Sequence, residues 1–434
     1  MTVIIRFFYN ALYPIAVILM LPGLIWKMLR RGKYRHKFGQ RFAVYSTNVR
    51  TRLAARRRTW VHAVSVGEVL IALKLIDRLR ERDPDRAFVL STTTSTGFAL
   101  ANDNRSEWLE PVYNPLDFVL FTRRAIALIR PLQLILIEAE VWPNLVAGVR
   151  ATGSSVLLVN ARLSPRSESR YRRARWITAP IFNQLDAIGV PDPEDLDRWQ
   201  SLGVRREKIH VTGSIKFDNP TAPSERDFRP LLDQLGIQPD APILLGASTH
   251  PGEEKLLGKT LLALRQKNPD WFYICVPRHV ERTPEILTDL KSLDFQVQLR
   301  SEIDSQLSTL NSQLDVIIVD TTGELRDWYS CATLVVVGKS FLAKGGQNPA
   351  EAIQADRPVL FGPHMQNFQV LVRDLVRHDG AVQLPDADAL VPALTDLAAD
   401  PDRRRELVAN GQPIVARHLG ATDRTCDLIE HHAA

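Results

Sequence analysis

Hydrophobic positions along this chain follow two kinds of pattern. The first is a single unbroken run, Phe7–Trp26 (FFYNALYPIAVILMLPGLIW), with no charged residue. At roughly 20 residues it matches the length a helix needs to cross a bilayer core. Asn10, Pro14 and Pro22 weaken it and leave open a shallower helix lying in the membrane interface. The second pattern is an alternation of short apolar runs with stretches of helical spacing, the signature of parallel sheets flanked by helices. In the first half it predicts strands near Trp60–Val64, Ala87–Leu90, Leu134–Ile137, Val156–Val159, Ala187–Val190 and Ile209–Val211. Asp218–Asp227 then breaks the rhythm with two prolines and no apolar run, as a linker does. A second series follows near Ile243–Leu245, Trp271–Val276, Phe295–Gln298, Val316–Val319, Leu334–Val337 and Val359–Leu360. The layout predicts an α/β chain with a membrane anchor at 1–30, a Rossmann-like domain at 31–218, a linker at 219–228 and a second Rossmann-like domain at 229–434. Two doubly wound domains facing each other across a cleft fit this order, and ligands of such sheets bind outside the carboxyl ends of the strands.

The polar clusters fall at those strand ends. Gly67-Glu68 follows the first apolar run and precedes Val69, Leu70, Leu73, Ile76 and Leu79 at helical spacing. A carboxylate there faces the N–H groups and dipole of a helix N-terminus, which suits either a general base or a simple cap. Glu138-Ala139-Glu140 and Asn160-Ala161-Arg162 follow the next two central runs, and Lys216 closes the first half. Paired acids behind a buried strand suit a site as well as they suit a helix cap or a salt bridge, and Lys216 could oppose developing negative charge or stand solvated. In the second half Ser248-Thr249-His250-Pro251-Gly252-Glu253-Glu254, Pro277-Arg278, Asp320–Leu325 and Lys344–Glu351 are turns that open helices or present a guanidinium. Each is ordinary punctuation alone; together they suit an anionic ligand.

Composition narrows the class. A chain of 434 residues, 45% hydrophobic and 24% charged, is too long for one ordinary domain and too apolar for disorder. Three scattered cysteines, Cys275, Cys331 and Cys426, point to a reduced compartment. The net charge of +6 suits an anionic partner. Lys27, Arg30, Arg31, Lys33, Arg35, Lys37 and Arg41 follow the apolar run against Arg6 alone before it, so the bulk of the chain is expected on the cytoplasmic side. Gly258-Lys259-Thr260 and Gly338-Lys339-Ser340 lack the first glycine of a Walker loop, having Glu253 and Thr333 in its place. No G-x-S-x-G elbow, H-E-x-x-H pair or Cys/His array occurs, and His62 inside a strand reads as a buried, satisfied histidine. The tryptophans do not interleave with basic runs, so nucleic acid is not an expected partner.

The series HAVSVGEV, STTTSTGF, EAEVWPN, NARLS, GSIKFD, ASTHPGEE, VPRH, TTGEL, GGQNPAEA and GPHMQNF, in that order from Trp60 to Phe368, resembles the Kdo transferases of lipopolysaccharide synthesis. The resemblance implies a GT-B glycosyltransferase. Such an enzyme moves Kdo (3-deoxy-D-manno-octulosonic acid) from CMP-Kdo to a lipid A precursor (lipid IVA) at the inner membrane, inverting the anomeric carbon without a cofactor or metal ion. By the same motifs Glu68 would be the base, Glu138 and Lys216 would stabilise the transition state, and Pro277, Arg278, Thr322, Gly323, Glu324, Asn348, Pro349, Ala350 and Glu351 would hold the CMP. Gln347, Ala350, Ala139 and Thr322 depart from the residues usual in the family, which bears on nucleotide contacts rather than reaction class. The alternatives are another GT-B nucleotide-sugar enzyme, such as a UDP-sugar transferase or epimerase, and a non-catalytic lipid A binding protein.

Overall fold

The computed structural model describes residues 2–31, 37–218, 226–306 and 314–433. The chain divides into two compact units, Met1–Asp218 with Gly420–Ala434, and Asn219–Leu419. Both are doubly wound α/β units, as expected for a GT-B chain.

The first unit holds seven parallel strands: β1 (Thr59–His62), β2 (Phe88–Thr92), β3 (Leu109–Tyr113), β4 (Gln133–Ile137), β5 (Ser155–Val159), β6 (Ala187–Val190) and β7 (Ile209–Val211), in the order β3-β2-β1-β4-β5-β6-β7. Alternation along each strand sends side chains to two cores. Trp60, Val89, Leu134, Leu136 and Leu158 enter one, while Val61, Leu90, Ile135, Ile137 and Val159 enter the other. Strand β3 escaped the sequence reading because Leu-Glu-Pro-Val-Tyr interrupts its apolar run. Its edge position tolerates Pro111, and Arg52 neutralises the buried Glu110 at 2.6 Å.

The second unit repeats the design with β8 (Ile243–Thr249), β9 (Phe272–Pro277), β10 (Val297–Leu299), β11 (Val316–Ile318), β12 (Leu334–Val337), β13 (Val359–Phe361) and β14 (Val382–Gln383), ordered β10-β11-β9-β8-β12-β13-β14. The order reverses between β1 and β4 in the first sheet and between β8 and β12 in the second. Those are the switch points where such folds bind ligands.

Two boundaries differ from the sequence reading. The last helix, Ala421–His431, was expected in the second domain but joins the first unit, where Cys426 and Ile429 share a core with Val61, Ile71 and Leu75. Of the expected linker 219–228, residues 219–225 lie outside the described residues. Phe228 is built into the second unit, stacked on Trp328 at 4.1 Å. The N-terminal apolar run forms one helix, Thr2–Arg31, whose Thr2–Leu19 portion is long and apolar enough to cross a membrane. In the basic cluster behind it, Lys33 and Arg35 lie outside the described residues, whereas Lys37 and Arg41 stack over Phe98 and Tyr113 at 4.7 and 4.6 Å.

Candidate active site

In the first unit the candidate residues gather at the carboxyl ends of β1, β4 and β5, on either side of the switch point. Helix Val66–Arg82 begins before Glu68, with Ser65 as its N-cap. Glu68 is therefore the third helical residue and completes a capping box: the Ser65 hydroxyl accepts from the Glu68 N–H at 3.4 Å and donates to Glu68 Oε1 at 3.0 Å, while Glu68 Oε2 accepts from the Val64 N–H at 2.8 Å. Capping and catalysis are not exclusive here, since a carboxylate has about four lone-pair sites and these bonds occupy two. The loop is held from behind by Thr94, whose hydroxyl donates to the Val64 carbonyl at 2.9 Å. A Cβ on Gly97 would meet that hydroxyl oxygen at 2.9 Å, which requires the glycine of STTTSTGF. Gly67 has only Ser65 Oγ nearby, at 3.9 Å, and leaves room for a ligand to approach the helix end.

The chain leaves β4 and β5 through left-handed residues, Glu138 (φ 63°) and Asn160 (φ 51°). Each such backbone costs on the order of 1 kcal/mol and gathers at functional sites. It turns Glu138 back toward Arg162, 3.9 Å away. The Asn160 amide oxygen accepts from the Ile215 N–H at 3.2 Å, fixing the loop that carries Lys216. From the other side the Lys74 ammonium bonds the Ile215 and Asp218 carbonyls.

Three carboxyls and two cations thus share one field. Burial raises the Glu138 pKa, Arg162 and Lys216 oppose that, and the Glu68 charge adds to it. Glu140 is raised to about 6, first by burial and then by Glu68. Burial and Arg162 lower Lys216. Such pairing of displaced acids with a displaced lysine is typical of sites that handle protons and transient charge. Glu140 was expected beside Glu138 as one of a pair of acids but without a role in the reaction, and Arg162 stood in its motif with no role of its own. His62 is fully buried with its Nδ1 against the Ser91 hydroxyl at 2.9 Å, its pKa driven down to about 4 by burial.

In the second unit the expected nucleotide segments follow β9, β11 and β12. Arg278 is exposed just beyond β9, its N–H donated to the Thr249 carbonyl at 3.0 Å. Thr322 and Gly323 are exposed, Gly323 at φ 88° in open space. Glu324 is buried and paired, with Arg226 at 2.8 Å and Arg300 at 3.3 Å, so its carboxylate holds the loop's own framework. Asn348 accepts from the Ala350 N–H at 3.1 Å and donates to Glu351 at 3.1 Å, capping the helix Ala350–Gln354 that Pro349 starts. Gln347 stands 3.0 Å from His250. Burial, and after it Lys339, lowers the His250 pKa.

The residue that organises this end of the sheet is Glu253. Its buried carboxylate accepts from four backbone N–H groups, those of His250 (3.0 Å), Lys339 (2.6 Å), Ser340 (3.0 Å) and Phe341 (3.2 Å). It therefore ties the β8 exit to the β12 exit across the switch point. Ser248 (φ 54°) and Lys339 (φ 56°) repeat the left-handed exits of the first unit. This turn was expected to suit an anionic ligand, yet the Thr249 side chain is fully buried.

The model of the 3-deoxy-D-manno-octulosonic-acid transferase (kdotransferase) family matches residues 36–219. The 3-deoxy-D-manno-octulosonic acid transferase of Haemophilus influenzae is 31% identical over 428 residues, 98% of each chain. The chain belongs to this family. It is a glycosyltransferase. The Bordetella pertussis transferase is 34% identical over 94% of both chains. Among solved structures, the C-terminal CMP-Kdo binding domain of WaaA from Acinetobacter baumannii is 26% identical, covering 43% of this chain and 94% of that domain at a TM-score of 0.39.

Proposed function

We propose that this transferase moves Kdo from CMP-Kdo to a lipid A precursor, lipid IVA, in lipopolysaccharide synthesis at the cytoplasmic face of the inner membrane, with Glu68 as general base. The observation that carries the reading is the convergence of Glu68, Glu138, Arg162 and Lys216 at the switch point of the first sheet. In the reaction an acceptor hydroxyl oxygen attacks the anomeric carbon of Kdo. The bond from that carbon to the CMP phosphate oxygen breaks, its electron pair leaves with CMP, and the hydroxyl proton passes to Glu68. Attack from the face opposite the leaving group inverts the centre. Positive charge grows on the sugar and negative charge on the phosphate, so a carboxylate such as Glu138 and a cation such as Lys216 both lower the barrier. The donor segments Pro277-Arg278, Thr322–Glu324 and Asn348–Glu351 belong to the other unit. There Arg278, the Gly323 turn and the short helix start after Pro349 suit a nucleotide phosphate.

The capping box supplies the decisive test. Glutamine serves at the third position of a capping box as well as glutamate does, but cannot take a proton. Glu68→Gln is therefore expected to melt within a few degrees of the native enzyme and to bind CMP-Kdo normally, yet to lose about 10²–10⁴-fold in turnover, the usual worth of a general base. Release of CMP and the mass of the lipid acceptor give the readout. Near-native turnover in Glu68→Gln, with only Glu68→Ala impaired, would reduce Glu68 to a cap.

A further inference from the structure

The N-terminal helix is amphipathic in a way its hydropathy conceals. Arg6, Tyr9, Asn10 and Tyr13 recur at helical spacing and are half-buried, while Phe7, Phe8, Leu12, Ile15, Ile18 and Leu19 point away and are exposed. The polar stripe is bonded to the first unit, where helices Val119–Ile129 and Pro143–Arg150 begin. Asn10 and Asn144 exchange a reciprocal pair of amide hydrogen bonds, both at 2.9 Å. Arg6 donates to the same Asn144 oxygen at 3.4 Å, and Asn10 Oδ1 also accepts from the Val119 N–H at 3.4 Å. The Tyr9 hydroxyl bonds the Asp117 carboxylate, and the Tyr13 hydroxyl accepts from the Asp117 N–H at 3.2 Å. Asp117 is itself buried and accepts from the N–H groups of Asn144 and Leu145 at 3.0 and 2.8 Å.

This latch is incompatible with a transmembrane path. Asn10 lies near the start of the uncharged run Phe7–Trp26, at the end away from the basic residues expected to mark the cytoplasmic side. Were the run to span, Asn10 would stand in the leaflet far from the cytoplasmic side. The Asp117 carboxylate and two polar helix starts would have to follow it into hydrocarbon, or the latch would have to break. A helix parallel to the surface keeps every one of these bonds and still places its exposed face in the acyl region, some 5–10 Å deep. The neighbouring surface suits such a plane. The helix packs on Arg175–Phe182, which carries the exposed Trp176 and is preceded by Arg170, Arg172 and Arg173, all exposed. An aromatic ring and a basic flank are the usual contacts with anionic headgroups.

We infer that the N-terminal helix is a monotopic anchor, clamped to the first unit through Asn10–Asn144 and Asp117, whose Phe7–Leu19 face enters one leaflet of an anionic bilayer without crossing it. The inference rests on the membrane attachment proposed above and specifies its geometry. A cysteine in a short extension ahead of Thr2 tests it, with Asp85→Cys marking the side of the globular unit; the native cysteines Cys275, Cys331 and Cys426 are buried. Full-length protein carrying either cysteine is treated with a membrane-impermeant maleimide in sealed inside-out vesicles and in intact spheroplasts. Both sites are expected to react only in the inside-out vesicles. Reaction of the extension in spheroplasts alone, with Asp85→Cys reacting in vesicles, means a spanning helix and overturns the inference while leaving attachment intact. Protein that fails to sediment with the membranes overturns attachment, and the inference with it. In the sedimenting protein an Asn10→Cys/Asn144→Cys pair is expected to form a disulfide on mild oxidation. Absence of that crosslink in a folded, active variant would show the latch open and the clamp wrong.

Discussion

At the scale of single residues, the site stores its chemistry in carboxyls that burial and mutual repulsion displace from their ordinary range. Glu140 is the clearest case, raised from 4.5 to about 6 by burial and by the Glu68 charge. A carboxyl raised on folding keeps its proton in the native state over a window in which the unfolded chain has lost it. Stability therefore falls as pH rises from about 4.5 to 6, and the cost of the ionised group is fully present above that window. Glu140→Gln removes the titration, so urea midpoints of the variant are expected to fall less than those of the native enzyme between pH 4.5 and 7. The difference should be about 1 kcal/mol after allowing for solvent screening of a half-buried group. Parallel pH profiles for the two proteins would contradict the assignment. Glu68→Gln should act on the same group from a distance, moving the Glu140 titration down by removing its second cause, which carboxyl NMR shifts would follow directly.

Among the elements, the loop pair joined by Glu253 holds the switch point of the second sheet. Four N–H donors converge on one buried carboxylate, so a neutral amide there must turn an NH2 toward N–H groups and leave some of them unpaired. Glu253→Gln is expected to cost about 2–4 kcal/mol, the worth of one or two charge-assisted bonds plus an unmet buried donor. It should weaken CMP-Kdo binding at least tenfold by loosening the β8 and β12 exits together; denaturant melts and calorimetric titration would show both. An unchanged melt would mean the bonds are dispensable. This clamp was not legible in sequence, because Glu253 meets backbone groups more than 80 positions away whose identity no side chain reveals. What was legible follows from physics that is local in the chain. Central strands such as β4 and β12 are uninterrupted apolar runs because both their faces are buried, and candidate residues lie just past them because parallel strands share one carboxyl edge. Edge strands obey weaker rules. β3 carries a proline and a paired glutamate, and β14 has two residues, so neither reads as a strand. Glu324 illustrates the other limit: its acid after β11 was visible, but its partners Arg226 and Arg300 come from distant positions, and only the fold shows its charge already matched.

For the whole molecule, the chain passes from the first unit to the second after Asp218 and returns at Gly420, and one side chain ties both passages. The Asp218 carboxylate accepts from the N–H groups of Gly420 at 2.7 Å and Thr422 at 2.6 Å, starting the last helix beside the point where the first unit ends. That helix completes the first unit. Ile429 and Cys426 enter the core behind β1, and the Ile429 carbonyl accepts from the Gln133 amide at 3.0 Å. Arg82 reaches Asp423, Asp427 and Glu430 at 2.6, 2.6 and 3.0 Å. Helix Val66–Arg82, which presents Glu68, is thus braced along its far end by the last residues of the chain. Burial of Leu428 and Ile429 is worth about 1.5–3 kcal/mol each, a large fraction of the stability of a domain, and the smaller Cys426 adds to it. The ion pairs, mostly exposed, add little. Deletion of Gly420–Ala434 is therefore expected to abolish the cooperative melting of the first unit and all Kdo transfer, while the second unit, whose core excludes this helix, still binds CMP-Kdo. Adding the segment back as a peptide should restore protection of the Glu68 helix in hydrogen exchange. A truncated enzyme that melts and turns over like the full chain would show instead that Glu68 is placed by its own strand and helix alone.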